Sequence, residues 1–121
     1  MAKKVLIIDD EPDILRAAKV RLVSFGYEVI TAGDGKDIVN IIQQDRPDLI
    51  LLDLRLPHMD GDRICVMLKS DDKFKDIPVV IFTASSDPGT SKKVKDSGAE
   101  GYLIKPFDTE ELLQTIKKFL G

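Results

Sequence analysis

Five polar residues in this 121-residue chain share a peculiarity of placement. Asp9 and Asp10 follow the aliphatic run Val5-Leu6-Ile7-Ile8, and Asp53 ends the run Leu49-Ile50-Leu51-Leu52. Thr83 follows Val79-Val80-Ile81-Phe82, and Lys105 follows Gly101-Tyr102-Leu103-Ile104. Each stands where a short apolar segment gives way to a turn. Gathered in one place, three carboxylates and one ammonium carry a net charge of −2. Like charges ~4 Å apart repel by ~4 kcal/mol at an effective dielectric of ~20, so such a cluster attracts a divalent cation. Ligands that are all oxygen, with room for water, suit Mg²⁺. Taken singly, each residue has an ordinary role: Asp53 a turn cap, Asp10 a helix cap, Thr83 a strand residue, Lys105 a solvated end. The chemistry depends on whether the fold brings them together.

The elements between them answer that. Unbroken aliphatic runs of this length read as strands buried on both faces, as in parallel sheets covered by helices. After Asp9-Asp10-Glu11, Pro12 suits the first turn of a helix. Ile14, Leu15, Ala18, Leu22 and Phe25 recur there at helical spacing, and Gly26 is placed to end the helix. A second strand spans 27–31. Ile38, Ile41 and Ile42 mark a second helix that must stop by Arg46-Pro47. The strand ending at Asp53 leads through Pro57-His58-Met59-Asp60-Gly61 to a third helix carrying Ile64, Met67 and Leu68. A fourth strand spans 78–82. Residues 87–97 form a fourth helix in which Val94 is the only strongly apolar residue, and Gly98 ends it. After the fifth strand, 101–104, Asp108 or Thr109 caps a last helix with Leu112, Leu113, Ile116 and Leu120 on one face.

Strand and helix thus alternate five times. The pattern predicts an α/β fold: a doubly wound, five-stranded parallel sheet with right-handed crossovers and five helices on its two faces. The common five-stranded order is 2-1-3-4-5, flavodoxin-like. In that order Asp9 and Asp10 lie beside Asp53 on adjacent strand ends, Thr83 ends the next strand, and Lys105 the one beyond. At ~4.8 Å per strand, Lys105 must reach back across ~10 Å of sheet, which only a long side chain can do.

With Asp9-Asp10, Asp53, Thr83-Ala84 and Lys105-Pro106 at these four strand ends, the sequence resembles the receiver domain of two-component response regulators over essentially its whole length. The resemblance implies a single receiver domain, 1–121, that accepts a phosphoryl group on Asp53 from a histidine kinase or phosphotransfer protein. It implies that Asp10, Asp53 and the backbone carbonyl of Arg55 bind Mg²⁺, with Asp9 acting through water. Thr83 and Lys105 hold the phosphoryl oxygens, and Tyr102 matches the family's aromatic switch position. A cis Lys105–Pro106 bond is also implied. Arg55 and Ser85 occupy positions that tune phosphoryl lifetime. The expected output is a switched face built from the fourth helix, the fifth strand and the last helix, read by a downstream protein or output domain, from a monomer or a phosphorylation-dependent dimer. Such a domain is not a conventional enzyme, although it catalyses its own phosphorylation and dephosphorylation.

Composition narrows the alternatives. Lys and Arg number 18 against 21 Asp and Glu, a net charge of −3, which offers no basic footprint for nucleic acid. No apolar run approaches the ~20 residues of a membrane span, and a cytoplasmic protein is expected. One cysteine, Cys65, excludes an internal disulfide and reads as a small core or boundary side chain. His58, the single histidine, has no Cys or second His nearby and reads as a loop residue. A flavin carrier of the same fold class needs a Gly- and hydroxyl-rich loop where this chain has Asp9-Asp10-Glu11-Pro12-Asp13. An aspartate-nucleophile phosphatase typically has an acid two residues after its nucleophile, where this chain has Arg55. An interaction module that has lost phosphate chemistry ranks low, because all five residues are present.

Overall fold

The computed structural model describes residues 2–84 and 87–120. In chain order the elements are β1 (Lys4–Ile8), α1 (Pro12–Ser24), β2 (Glu28–Ala32), α2 (Ile38–Asp45), β3 (Leu49–Asp53), α3 (Gly61–Lys69), β4 (Val79–Thr83), α4 (Pro88–Asp96), β5 (Gly101–Ile104) and α5 (Thr109–Leu120). The five strands are parallel and ordered β2-β1-β3-β4-β5, as the alternation predicts. All five residues of β3 and of β4 are buried, because helices cover both faces. The edge strands β2 and β5 are only partly buried.

Side chains alternate across each strand, so the sheet separates two apolar layers. Val5, Ile7, Leu49, Leu51, Val80, Phe82 and Leu103 pack with Ala18 and Leu22 of α1 and with Leu112 and Ile116 of α5. Leu6, Ile8, Ile50, Leu52, Val79 and Ile81 pack with Ile38 and Ile42 of α2, with Ile64, Cys65 and Leu68 of α3, and with Val94 of α4. Fully burying one such aliphatic side chain stabilises the fold by roughly 1.5–3 kcal/mol.

Helix ends follow local chemistry. Gly26 (φ 94°) and Gly98 (φ 86°) take the left-handed conformation just beyond α1 and α4. Arg46 turns left-handed at φ 47° because the following Pro47 bars it from continuing α2. Asp108 caps α5: its carboxylate accepts from the Glu111 N–H at 2.8 Å, while Glu111 Oε1 accepts from the Asp108 N–H at 3.4 Å. Two expectations shift. Phe25 is 56% exposed, because α1 closes at Ser24 and Phe25 leaves the helical path at φ −98°, ψ 10°. Met67 is also exposed, and Cys65 takes the inward position beside Ile64 and Leu68.

A polar clamp joins three elements at the amino-terminal end of the sheet. Lys69 Nζ, at the end of α3, pairs with Glu100 Oε1 at 2.7 Å and donates to the carbonyls of Ile77 (2.7 Å) and Lys75 (3.1 Å). Glu100 Oε1 also accepts from the Val79 N–H that opens β4. Gly98 packs over the stem of Lys69, and the buried Ser97 Oγ donates to the Val94 carbonyl within α4.

Candidate functional site

At the carboxyl ends of the strands the predicted residues converge. Asp9 follows β1 and is fully buried, and its Oδ1 accepts from the Glu11 N–H at 2.9 Å. Asp53 ends β3 at 4% exposure, and its Oδ1 accepts from the Arg55 N–H at 3.3 Å. Asp10 is exposed beside them. Carboxylate oxygens of Asp9, Asp10 and Asp53 lie within 4.8 Å of one another, close enough to hold a metal ion together. Thr83, at the end of β4, is buried at 3% exposure.

Lys105 does reach back. Its Nζ lies 3.0 Å from Asp9 Oδ2, 3.4 Å from Asp53 Oδ2 and 3.7 Å from Glu11 Oε1. The Lys105 N–H donates to the Thr83 carbonyl at 2.8 Å, which holds this chain segment against the end of β4; the Lys105–Pro106 bond is cis, as expected. Asp10, Glu11, Asp53, Arg55, Thr83, Ala84 and Lys105 line a cavity of about 390 Å³. A larger hollow of about 600 Å³ lies between the end of α2 and the segment after α3; Ile42, Pro47, Phe74 and Ile77 line it, together with Arg46, Lys73 and Gln43. It holds no carboxylate or hydroxyl in its lining, so the chemistry belongs to the smaller cavity.

Burial pushes the Asp53 carboxyl up from the ordinary 3.8 to about 6, and the neighbouring charge of Asp9 adds to the rise. Lys105 and the Arg55 N–H oppose it without cancelling it. Burial alone would lower the Lys105 ammonium, but its hydrogen bond to Asp9 and the charges of Asp53 and Asp9 outweigh that and leave it raised. Asp53 is therefore a carboxylate held in a site that resists negative charge, a state that a bound cation relieves.

The loop after Asp53 folds tightly against it. The Met59 N–H donates to the Pro57 carbonyl at 2.9 Å around His58 at φ 72°, which matches a γ-turn of the rare positive-φ kind. The Gly61 N–H then donates to the Leu54 carbonyl at 2.7 Å. A Cβ on Gly61 would fall 2.1 Å from the Asp53 carbonyl oxygen, so only glycine fits. His58 itself is an exposed loop residue, as its isolation predicts. Tyr102 is half-buried on β5 and packs against the layer of α2, α3 and α4. Ser85 lies outside the described residues.

Sequence reasoning missed three neighbours: Glu11 beside Lys105, Gly61 against Asp53, and Phe82. Lys105 Nζ stands 4.9 Å from the centroid of the Phe82 ring. Only Gly61 had a sequence signal, its place in the turn Asp60-Gly61 before α3; the other two contacts arise across elements.

The family model for the response regulator receiver domain matches residues 5–117. This chain belongs to that family. The receiver is 33% identical over 121 residues to the polar-differentiation response regulator DivK of Brucella anthropi, covering 100% of this chain and 98% of DivK. It superposes on the chemotaxis response regulator CheY4 of Vibrio cholerae with a TM-score of 0.91 at 33% identity, covering 98% of this chain and 99% of CheY4. The receiver domain of sensor histidine kinase PA1611 from Pseudomonas aeruginosa superposes with a TM-score of 0.91 at 28% identity, covering 100% of this chain and 99% of that domain; that structure has a magnesium ion coordinated in its active-site cleft. Other curated relatives are longer, and the receiver spans only 45–48% of their length.

Proposed function

We propose that Asp53 of this receiver accepts a phosphoryl group from the phosphohistidine of a histidine kinase or phosphotransfer protein. The observation that carries the reading is the buried Asp53 carboxylate set 3.4 Å from the Lys105 ammonium, with Asp9 and Asp10 in reach of a shared cation. An Asp53 oxygen bonds to phosphorus as the phosphorus–nitrogen bond breaks, and the bond pair returns to the imidazole nitrogen. Lys105 turns from the carboxylates to a phosphoryl oxygen, and the Thr83 hydroxyl donates to another. The ligand set fits Mg²⁺: the carboxylates are close together, all donors are oxygen, and the exposed side of Asp10 leaves space for water. Asp10, Asp53 and the Arg55 carbonyl would hold the ion, with Asp9 acting through water. When bound, Mg²⁺ neutralises charge that Asp53 and the incoming phosphoryl group would otherwise set against each other.

Arg55 lines the cavity and is exposed; it would shield the acyl phosphate or interfere with a phosphatase, and so tune the phosphoryl lifetime together with Ser85. Thr83 and Tyr102 form the switch, and the face of α4, β5 and α5 carries the signal to a downstream protein or output domain. This is cytoplasmic signalling by a monomer or a phosphorylation-dependent dimer, with no turnover of an external substrate. Among the described residues no helix is long and apolar enough to cross a membrane.

Intact-mass measurement after incubation with acetyl phosphate and Mg²⁺ tests the reading. One phosphate adduct is expected in the wild type and none in Asp53→Asn. An adduct that persists in Asp53→Asn, or forms equally well with the metal chelated, overturns it.

A further inference from the structure

We infer that Phe82 is a positioning residue for Lys105, its ring forming a fixed seat for the ammonium that transfers between carboxylate and phosphoryl partners. The inference rests on the phosphoacceptor reading of Asp53.

Three observations meet at Phe82. Its ring lies 4.9 Å from Lys105 Nζ, within the range at which a cation is attracted to the negative face of an aromatic ring. The ring is almost fully buried at 1% exposure and meets Phe107 at 5.8 Å between centroids and 89° between planes, an edge-to-face contact that fixes its orientation. The backbone of the same residue accepts a hydrogen bond from the Leu54 N–H at 3.1 Å, and Phe82 is the register partner of Asp53 across the β3–β4 ladder. One residue thus ties the strand end that carries the nucleophile to the cation that serves it.

The carboxylates around Lys105 cannot do this alone. Asp9, Glu11 and Asp53 each offer an oxygen that competes for the three ammonium donors. When Asp53 carries a phosphoryl group, at least one of those contacts must be exchanged. A ring face attracts the charge without taking up a hydrogen-bond direction that the phosphoryl oxygen needs, and it does not change during the reaction. Phe107 follows the Lys105–Pro106 step directly, so the segment that delivers the lysine also steadies its seat.

The experiment compares wild type with Phe82→Leu and Phe82→Met, two apolar replacements of different shape that both lack a ring. In lysine-labelled NMR spectra, the Lys105 side-chain methylene protons nearest the ammonium should show a ring-current shift in the wild type and lose it in both variants. That readout needs no phosphorylation, so it separates this inference from the reading it rests on. With acetyl phosphate at saturating Mg²⁺, both variants should form the adduct about three- to tenfold more slowly, because an ammonium without a fixed seat is less often aligned with the phosphoryl oxygen. Their Mg²⁺ affinity should stay within about twofold of wild type, since the metal ligands are untouched. The inference is overturned if wild-type Lys105 shows no ring-current shift. It is overturned equally if either folded variant forms the adduct at the wild-type rate, or if Mg²⁺ affinity falls as far as the rate, which would mark general damage to the site. A wild type that keeps the ring-current shift yet forms no adduct overturns the phosphoacceptor reading and the catalytic part of this inference, while the seat itself stands.

Discussion

Asp53 carries its charge where burial and Asp9 both oppose it, and this has a measurable sign. Above pH ~6 the folded protein holds Asp53 ionised and bears that penalty. As pH falls through about 6, the folded form takes up a proton that the unfolded chain does not bind until about 3.8, and the penalty disappears over that window. A shift of this size corresponds to at most about 3 kcal/mol. Metal-free Asp53→Asn is therefore expected to be more stable than wild type at pH 7.5, with the gap closing between pH 6 and pH 4. Urea unfolding at several pH values checks this, and a gap that stays constant or widens in acid would contradict it. Adding Mg²⁺ at neutral pH should stabilise the wild type and leave Asp53→Asn nearly unchanged, as expected of an ion that needs the ionised Asp53 carboxylate.

At the scale of elements, the short strands and their turns set the site, and Gly61 is where they meet most closely. Its α carbon faces the Asp53 carbonyl with no space for a methyl group. Gly61→Ala must therefore push apart the end of β3 and the start of α3, an overpacking that typically costs about 1–3 kcal/mol. On the proposed function it should also slow phosphoryl uptake, because the strand end that moves is the one bearing Asp53. Urea unfolding and the rate of adduct formation measure the two effects, and a variant equal to wild type in both would show that the contact is slack. Much of this architecture was legible beforehand. Unbroken apolar runs ending at Asp9, Asp53 and Thr83 define three strands and their carboxyl ends, since doubly buried strands leave little room for polar residues, while the edge strand before Lys105 is legible from its place in the alternation. Phe25 was misplaced because its spacing from Leu22 continues the helical stripe one residue past the point where the helix stops. Met67 and Cys65 compete for the same face of α3, and spacing alone does not choose between them. Phe82 reads as one more core residue, because its contact with Lys105 depends on a side chain from another strand folding back over it.

For the whole molecule, the expected response to phosphorylation is asymmetric. The helix α4 presents a single buried aliphatic anchor, Val94, supported by the buried Thr90, and it contains Gly89, whose helix propensity is ~1 kcal/mol below that of alanine. Its exposed Lys92, Lys93 and Lys95 suit an acidic partner surface. Regions with so little buried apolar area open most easily, and a coupling of ~1–3 kcal/mol suffices to change partner affinity severalfold. Hydrogen exchange with and without beryllofluoride should therefore show protection changes across 87–102, beyond the loops that hold Asp9, Asp10 and Asp53. Changes confined to those loops would remove the α4, β5 and α5 face from the signalling scheme.

The clamp of Lys69, Glu100 and the β4 entrance gives that motion a direction. At the carboxyl end of α4, Gly98 lies over the stem of Lys69 and the buried Ser97 donates back to Val94, while the amino end follows Thr83 by five residues in the chain. With that end held, α4 would act as a lever whose fulcrum lies far from Asp53. Nine residues at 1.5 Å rise make an arm of about 13 Å, so a tilt of about 10° carries the amino end roughly 2 Å while the far end stays in place. A partner gripping the first turn of α4 would sense most of the stroke, and one gripping the last turn would sense almost none.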